Sequence, residues 1–162
     1  MTLTEIRERA IEPAFQLLPA PMNSPEAELM LLAIGLQESR FEHRHQIGGP
    51  AHSFWQAEQG GGMVHGVLRH RKTEFLAIAV SDARGIAPIT DNEIYKAIEF
   101  DDVLAAALAR LLLWTDPWPL PNVGECAKAW DLYLRTWRPG KPHRKTWDAL
   151  YARAMDELSC SA

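Results

Sequence analysis

One glutamate at the end of an apolar helical segment is the residue of this chain best placed to do chemistry. Glu38 follows the apolar residues 33–36, and a loop interrupted by glycine and proline comes after it. That loop ends in a Ser-Phe-Trp-Gln segment at residues 53–56, which offers aromatic rings and an amide. A single carboxyl on the wall of an apolar cleft, opposite such a loop, suits acid-catalysed cleavage of a sugar chain.

Helical spacing predicts where this carboxyl points. Positions 27, 31 and 34 are apolar and share one helical face with Glu38, so the carboxyl continues an apolar stripe. Partial desolvation and the negative end of the helix dipole would both raise the pKa of Glu38 towards neutrality, as a general acid requires. Spacing alone leaves an alternative open, in which Glu38 marks the place where the stripe meets solvent and pairs with a nearby arginine.

The motifs around this glutamate resemble those of a known family. Residues 38–41 read Glu-Ser-Arg-Phe, which resembles the Glu-Ser-x-Phe motif of lytic transglycosylases, relatives of goose-type lysozymes with the lysozyme-like fold. A second family motif reads roughly Gly-Ala-x-Gly-Leu-Met-Gln, and residues 50–56 read Pro-Ala-His-Ser-Phe-Trp-Gln, with Gln56 at the expected distance from Glu38. Pro50 and Ser53 stand where the family has glycines, so the backbone there is expected to differ. The match covers residues 29–59, and residues 137–142 resemble small bacteriophage proteins of this type.

The resemblance implies a mechanism in which one glutamate acts twice. Glu38 would protonate the glycosidic oxygen between N-acetylmuramic acid and N-acetylglucosamine, while the substrate's own acetamido group stabilises the cationic carbon. The resulting carboxylate would then deprotonate the muramic C6 hydroxyl, which closes a 1,6-anhydro ring. The sequence places no second carboxylate for this chemistry, since Glu42 and Glu58 are more simply solvated loop residues. No cofactor is expected.

Polar and aromatic side chains of the same motifs are candidates for binding the sugar chain. Ser39 could bond the substrate or the Glu38 carboxyl, or only its own backbone, and Gln56 could bind acetamido groups. Phe54 and Trp55 could stack on sugar faces or pack the loop onto the core.

A later aromatic segment adds two further candidates. Residues 129–131 read Ala-Trp-Asp, the nearest analogue of a family Ala-Tyr-Asn segment whose tyrosine lines the cleft. This likeness makes Trp130, and Tyr133 one turn further on, candidates for the cleft, although aromatic stripes at helical spacing usually belong to the core. The predicted catalytic residue is thus Glu38, and the predicted substrate-binding residues are Ser39, Phe54, Trp55, Gln56, Trp130 and Tyr133.

Other kinds of site find little support in the sequence. The histidines lack the i,i+4 spacing of a helical metal-binding pair, and Cys126 has no potential ligand nearby, so no metal site is predicted. The glycines at 60–62 lack the strand-to-helix context of a phosphate-binding loop, which argues against nucleotide binding. The two cysteines, Cys126 and Cys160, are expected to be free thiols.

The pattern of start and stop signals predicts one mainly α domain over residues 1–162, of the α+β lysozyme-like class. Thr4 can cap a first helix that Pro13 kinks or splits, and Ser24 followed by Pro25 strongly signals the start of a second. Asp91 and Asp101 can cap two later helices. Residues 42–62 are expected to form a long loop or short hairpin that makes one lip of a cleft. The predicted helices span residues 5–18, 25–40, 63–71, 73–83, 92–98, 102–114, 123–137 and 144–158.

Charge and hydropathy bear on partners and location. The net charge of −4 gives no steering towards anionic cell walls and disfavours non-specific nucleic-acid binding. No apolar run is long enough for a membrane span, and the first residues lack a signal-peptide pattern. Taken with the resemblance, which implies a phage-type protein acting on the peptidoglycan glycan strand, these features lead us to expect a protein made in the bacterial cytoplasm and carried by phage virion or tail proteins. The alternative is a virion structural or adaptor protein that keeps the fold without activity.

Overall fold

The computed structural model describes residues 1–160, which are mainly helical, as predicted. The only β pairing among these residues consists of two isolated antiparallel bridges, His45 with His52 and His52 with Ala57, so the described chain has no sheet. A π-helical turn, Arg7–Ile11, connects the first two helices, and Gly62–Gly66 forms a second such turn. The helices are α1 Leu3–Ile6, α2 Glu12–Gln16, α3 Pro25–Ser39, α4 Glu74–Ala83, α5 Asp91–Ala97, α6 Asp102–Thr115, α7 Cys126–Trp137 and α8 Arg144–Ser159.

Two helices, α3 and α6, form the centre of the protein. Residues 29–36 of α3 and 104–113 of α6 are buried without interruption. A helix that is apolar on all sides must be enclosed by other elements. Accordingly, α8 packs along α3, while α6 packs against the N-terminal helical segment and α4. The buried apolar residues form one continuous core to which all eight helices contribute.

Capping residues fix the start of the two central helices, as the sequence predicts. The Ser24 hydroxyl accepts a hydrogen bond from the Ala27 N–H at 3.1 Å, and Pro25 is the first helical residue of α3. The Asp101 carboxylate caps α6 in the same way, from the Leu104 N–H at 2.9 Å. These bonds satisfy backbone donors that a helix start otherwise leaves unpaired.

The first helix differs from the prediction at both its start and its proline. It begins at Leu3 because Thr2, rather than Thr4, is the N-cap, in a capping box with Glu5. Pro13 does not split the helix. The preceding turn widens instead, and the Glu12 N–H bonds the carbonyl of Arg7, five residues back.

Two later predictions also need correction. The helix predicted over residues 63–71 is wrong, since the structure has only the π-helical turn Gly62–Gly66 followed by irregular turns. Helix α5 is capped by Thr90 and not by Asp91. The Asp91 carboxylate instead bonds His65 and Arg69, at 2.7 and 2.8 Å.

Two further properties concern the described chain as a whole. None of the helices in residues 1–160 is long and apolar enough to cross a membrane. Cys126 is half-buried and Cys160 is exposed, and both are free thiols, as predicted. Burial raises the pKa of the Cys126 thiol to about 11, so this sulfur stays protonated and unreactive near neutral pH.

The chain reverses sharply after α3. Arg40 and Phe41 both have left-handed backbone conformations, with φ of 57° and 56°. The reversal ends α3 one residue before the predicted end and folds the Phe41 ring back onto Gly35. Only a glycine leaves room there, because a Cβ atom on Gly35 would lie 2.2 Å from Cζ of Phe41. The ring also packs edge-on against Phe54 and Trp55, with centroids 5.5 and 5.9 Å away.

Replacing this glycine tests how much the reversal depends on the close contact. Gly35→Ala should lower the free energy of unfolding by about 1–3 kcal/mol, as expected for overpacking in a core, even though alanine favours helix. Phe41 is only 1% exposed, and its ring is packed against Phe54 and Trp55. Urea denaturation would measure the change.

Gly60→Ala is the matched control, because a Cβ atom there has no neighbour within 4 Å. Its effect should stay within about 0.5 kcal/mol. Equal stabilities for Gly35→Ala and the wild type would contradict the assigned packing.

Candidate active site

The end of α3 opens onto a cleft of about 1580 Å³. The residues that line it include Glu38, most of loop residues 56–62, and most of residues 133–143 in α7 and the segment after it. The volume exceeds the range of about 300–1,000 Å³ usual for small-molecule pockets. The cleft therefore suits a section of an extended chain better than a compact metabolite.

Burial changes the acidity of Glu38. Loss of solvent raises the pKa of this carboxyl from 4.5 to about 7, whereas a hydrogen bond from Tyr133 acts in the opposite direction. Desolvation is the larger effect because a carboxylate loses far more solvation than a neutral acid does. The predicted direction of the pKa change is confirmed, and its cause is desolvation.

Tyr133 determines which oxygen of Glu38 carries the proton. Its hydroxyl donates to Oε1 of Glu38 at 2.6 Å, so in the neutral acid the proton belongs on Oε2. The Tyr133 ring is held by stacking on Trp147, with centroids 5.3 Å apart and planes 15° apart. Burial and the neighbouring Glu38 raise the pKa of Tyr133, so the phenol remains a donor near neutral pH.

Gln56 lies on the loop side of the cleft in an unusual backbone conformation. Its Nε2 donates to the Ser53 carbonyl at 2.7 Å, which fixes the direction of the side chain. Ser53 and Gln56 have φ of 68° and 52°, in the left-handed region that favours glycine. Ser53 occupies a glycine position of the motif that this segment resembles. Its hydroxyl accepts from the Trp55 N–H at 3.2 Å, a local bond that stabilises the turn.

Three of the predicted substrate-binding residues do not line the cleft. Phe54 and Trp55 are 1% and 0% exposed and pack in the core. The indole of Trp55 donates to the Leu31 carbonyl at 2.9 Å. Trp130 packs against Trp147, with centroids 5.4 Å apart, and is not among the residues that line the cleft. For these residues, packing is the role that their positions support.

Ser39 touches the cleft, but its hydroxyl is used by the backbone. It donates to the Phe54 carbonyl at 2.7 Å and accepts from the Phe41 N–H at 3.2 Å. The predicted contact with the Glu38 carboxyl does not form, and the alternative of backbone bonding does. Ser39 therefore ties the end of α3 to the loop.

Trp137 is a cleft residue that the sequence did not single out. It lines the wall formed by α7, and its indole donates to the Trp55 carbonyl at 2.9 Å, which connects this wall to the loop. The sequence shows Trp137 on one helical face with Trp130 and Tyr133, but nothing in that spacing distinguishes the residue that reaches the cleft from the one that does not.

Within residues 1–160, two acidic residues besides Glu38 line the cleft, Glu58 and Asp116. Asp116 is bound to the guanidinium of Arg135 at 2.9 Å and its side chain is 6% exposed, so it is already neutralised. Glu58 is exposed on the loop. Glu42, the other candidate base, does not line the cleft and its side chain is 66% exposed.

The described residues include one group of three side chains that could hold a metal ion, His45, His52 and Glu99. It lies outside the cleft lining. The sequence did not predict it, because the two histidines lack helical spacing and come together only across a β-bridge.

Comparisons of the chain with protein-family models, with curated proteins and with solved structures found no match. A functional assignment therefore rests on the chemistry of the cleft and on the motif resemblance.

Removing the Tyr133 hydroxyl tests the balance that sets the acidity of Glu38. Tyr133→Phe deletes the bond that favours the ionised carboxyl and leaves burial unopposed, so the pKa of Glu38 should rise by about one or more. A ¹³C NMR titration with labelled glutamate, assigned with Glu38→Gln, would measure it. Tyr151→Phe loses the same atom from a ring whose hydroxyl bonds the Gly124 N–H instead, and should leave this pKa unchanged. A fall in the pKa of Glu38 in Tyr133→Phe would refute the assigned balance.

Because the folded-state pKa of Glu38 lies above its unfolded value, this carboxyl makes the fold less stable as pH rises from about 4.5 to 7. Above pH 7 it is ionised in both states and the cost is complete. Glu38→Gln keeps the shape and removes the charge. Its stability advantage over wild type should therefore be larger by about 2 kcal/mol at about pH 8.5 than at about pH 5.

Urea denaturation at the two pH values would measure this difference. Glu42→Gln, which removes an exposed carboxyl outside the cleft, is the control. A constant difference between Glu38→Gln and wild type at both pH values would show that Glu38 is not desolvated.

Proposed function

We propose that this protein cleaves the glycan strand of peptidoglycan in the manner of a lytic transglycosylase, with Glu38 as the single acid and base. The observation that carries the proposal is a half-buried carboxyl with a pKa of about 7 in a cleft sized for an extended chain. The motif resemblance at residues 38–41 and 50–56 supplies the substrate class. Gln56, fixed on the loop side, is the candidate partner for an acetamido group.

The first step needs a neutral acid. With a pKa of about 7, a substantial fraction of Glu38 is protonated at neutral pH. Oε2 then donates its proton to the glycosidic oxygen as the bond from that oxygen to the anomeric carbon breaks. Tyr133 favours the carboxylate that remains through its hydrogen bond to Oε1, so it assists proton transfer.

The second step uses the same carboxylate as a base. Glu38 takes the proton of the muramic C6 hydroxyl, and that oxygen bonds to the anomeric carbon to close the 1,6-anhydro ring. The proton balance returns Glu38 to its starting state, and no water is consumed. These two steps need only one carboxyl group. They fit a cleft in which Asp116, one of the two other carboxylates, is already paired with Arg135.

Delivery by a phage particle is part of the same proposal. The net charge of −4 gives no attraction to an anionic wall, so concentration at the substrate would depend on a partner that carries the protein there. The non-catalytic alternative, a virion structural or adaptor protein, shares this location and differs only in the fate of the glycan.

Digestion of purified peptidoglycan tests the proposal directly. Wild type should release soluble fragments with 1,6-anhydro-muramic ends, lighter by one water molecule than hydrolysed ends, as read by mass spectrometry. Glu38→Gln should lower the rate by about 10²–10⁴-fold or more, because the acid is lost. The rate should fall on the alkaline side of pH 7, as Glu38 ionises.

Glu42→Gln, outside the cleft, should keep full activity and controls for preparation effects. Glu58→Gln distinguishes the two chemistries, since it should retain activity unless Glu58 activates water. Reducing muramic ends, abolished by Glu58→Gln, would indicate a lysozyme-type hydrolase. A folded wild type that releases nothing would favour the structural virion role.

A further inference from the structure

A second cluster of chemically active side chains lies outside the cleft. His45, His52 and Glu99 each direct one potential ligand atom towards the others, all within 4.8 Å. His45 Nδ1 is 3.2 Å from Oε1 of Glu99, and His52 Nε2 is 3.3 Å from Oε2. The mechanism proposed above does not use any of the three.

The fold brings these residues together in two ways. The antiparallel bridge sets His45 directly opposite His52, which places their side chains on the same side of the pair, and their ring centroids are 4.8 Å apart. Tyr95 in α5 then holds the His52 ring by stacking on it at 3.9 Å, with planes 7° apart. Glu99 follows α5 by two residues, so the loop and the end of α5 meet at this point.

The bonding of His52 shows which of its nitrogens is available. Its Nδ1 lies 2.8 Å from the Tyr95 carbonyl, which can only accept, so Nδ1 carries the hydrogen. In a neutral imidazole, Nε2 then presents a lone pair to a carboxylate oxygen 3.3 Å away. Two hydrogen-bond acceptors, Nε2 of His52 and Oε2 of Glu99, then face each other, and the His52 side chain is only 9% exposed. A positive charge between them, a proton or a metal ion, removes this repulsion.

We propose that His45, His52 and Glu99 bind one divalent ion of the zinc class. Two imidazoles and a carboxylate are a ligand set that zinc takes in proteins, and a backbone carbonyl that fixes the second ring nitrogen is the usual support for a metal-bound histidine. With bonds of about 2.0–2.1 Å, neighbouring ligand atoms of a tetrahedral zinc lie about 3.4 Å apart. The two nitrogen-to-carboxylate distances, 3.2 and 3.3 Å, are close to this value, and because each runs to a different oxygen of Glu99, the carboxylate must turn to present one oxygen to both rings. The wider separation, between the ligand nitrogens of His45 and His52, shortens if His45, whose side chain is 56% exposed, turns towards His52.

The ion would join the loop to the end of α5. The same loop supplies Ala51 and Gln56 to the cleft, while the three ligands are not among the residues that line it. The role is therefore structural, and a fourth coordination position is left to solvent on the His45 side. The proposal is independent of whether the cleft cleaves a glycan.

Titration of the untagged full chain with zinc chloride, after treatment with a chelator and dialysis, tests the site. Isothermal titration calorimetry at neutral pH should show one Zn²⁺ bound per chain, and bound Zn²⁺ should raise the thermal unfolding midpoint. His45→Ala and Glu99→Gln should each weaken binding by at least about tenfold and remove the rise in midpoint. His45 is exposed, and glutamine at position 99 can still donate to His52 Nε2, so both variants should fold.

His65→Ala is the matched control. His65 also bonds a carboxylate, that of Asp91 at 2.7 Å, but it is not part of the three-residue group. The affinity of the His65→Ala variant for Zn²⁺ should equal that of wild type. A wild type that binds no Zn²⁺ would overturn the proposal. Unchanged binding by both His45→Ala and Glu99→Gln would overturn it as well.

Discussion

The reversal of the chain after α3 is the constraint on which the rest of the site depends. Two consecutive left-handed residues turn Phe41 back onto Gly35, and the Ser39 hydroxyl bonds the Phe54 carbonyl. Together these contacts fix the distance between the helix end and the loop. Glu38 lies one residue before this junction, so its carboxyl is held at the cleft and partly removed from water. Several side chains that the sequence predicts to contact the substrate instead hold this junction together.

Two opposing interactions set the acidity of the site, and their magnitudes decide the outcome. Moving a carboxyl pKa from 4.5 to about 7 corresponds to about 3 kcal/mol against the ionised form. A hydrogen bond to a charged group contributes about 1.5–3 kcal/mol in the other direction, so desolvation must exceed that before any rise appears. Tyr133 thus moderates the effect of burial. It keeps the pKa of Glu38 near neutral pH, as the proposed roles of this carboxyl as acid and then base require.

Much of the helical framework could be read from the sequence, because its signals are local. Ser24 and Asp101 act as caps through bonds to residues three positions on, and the face of Glu38 follows from helical spacing alone. The sequence could not separate Tyr133, which reaches Glu38, from Trp130, which lies behind it, since both occupy one face of α7. That difference depends on where α7 packs. Pairings across the chain, such as those around the metal-ligand group, have no local signal at all.

The hairpin at the tip of the cleft loop has a consequence for how this chain tolerates changes in length. It is closed by the bond from the Gln46 N–H to the Ala51 carbonyl at 2.8 Å, and residues 47 and 48 at its tip are exposed. The contacts that position Glu38 and Gln56 lie on either side of that closure. Extra residues inserted at the tip would therefore lengthen a closed turn without moving either side chain, and doubling such a loop costs only about 0.6 kcal/mol. The eighteen-residue separation of Glu38 and Gln56 is thus not a geometric requirement of the site, and homologous chains could conserve the chemistry while varying that separation.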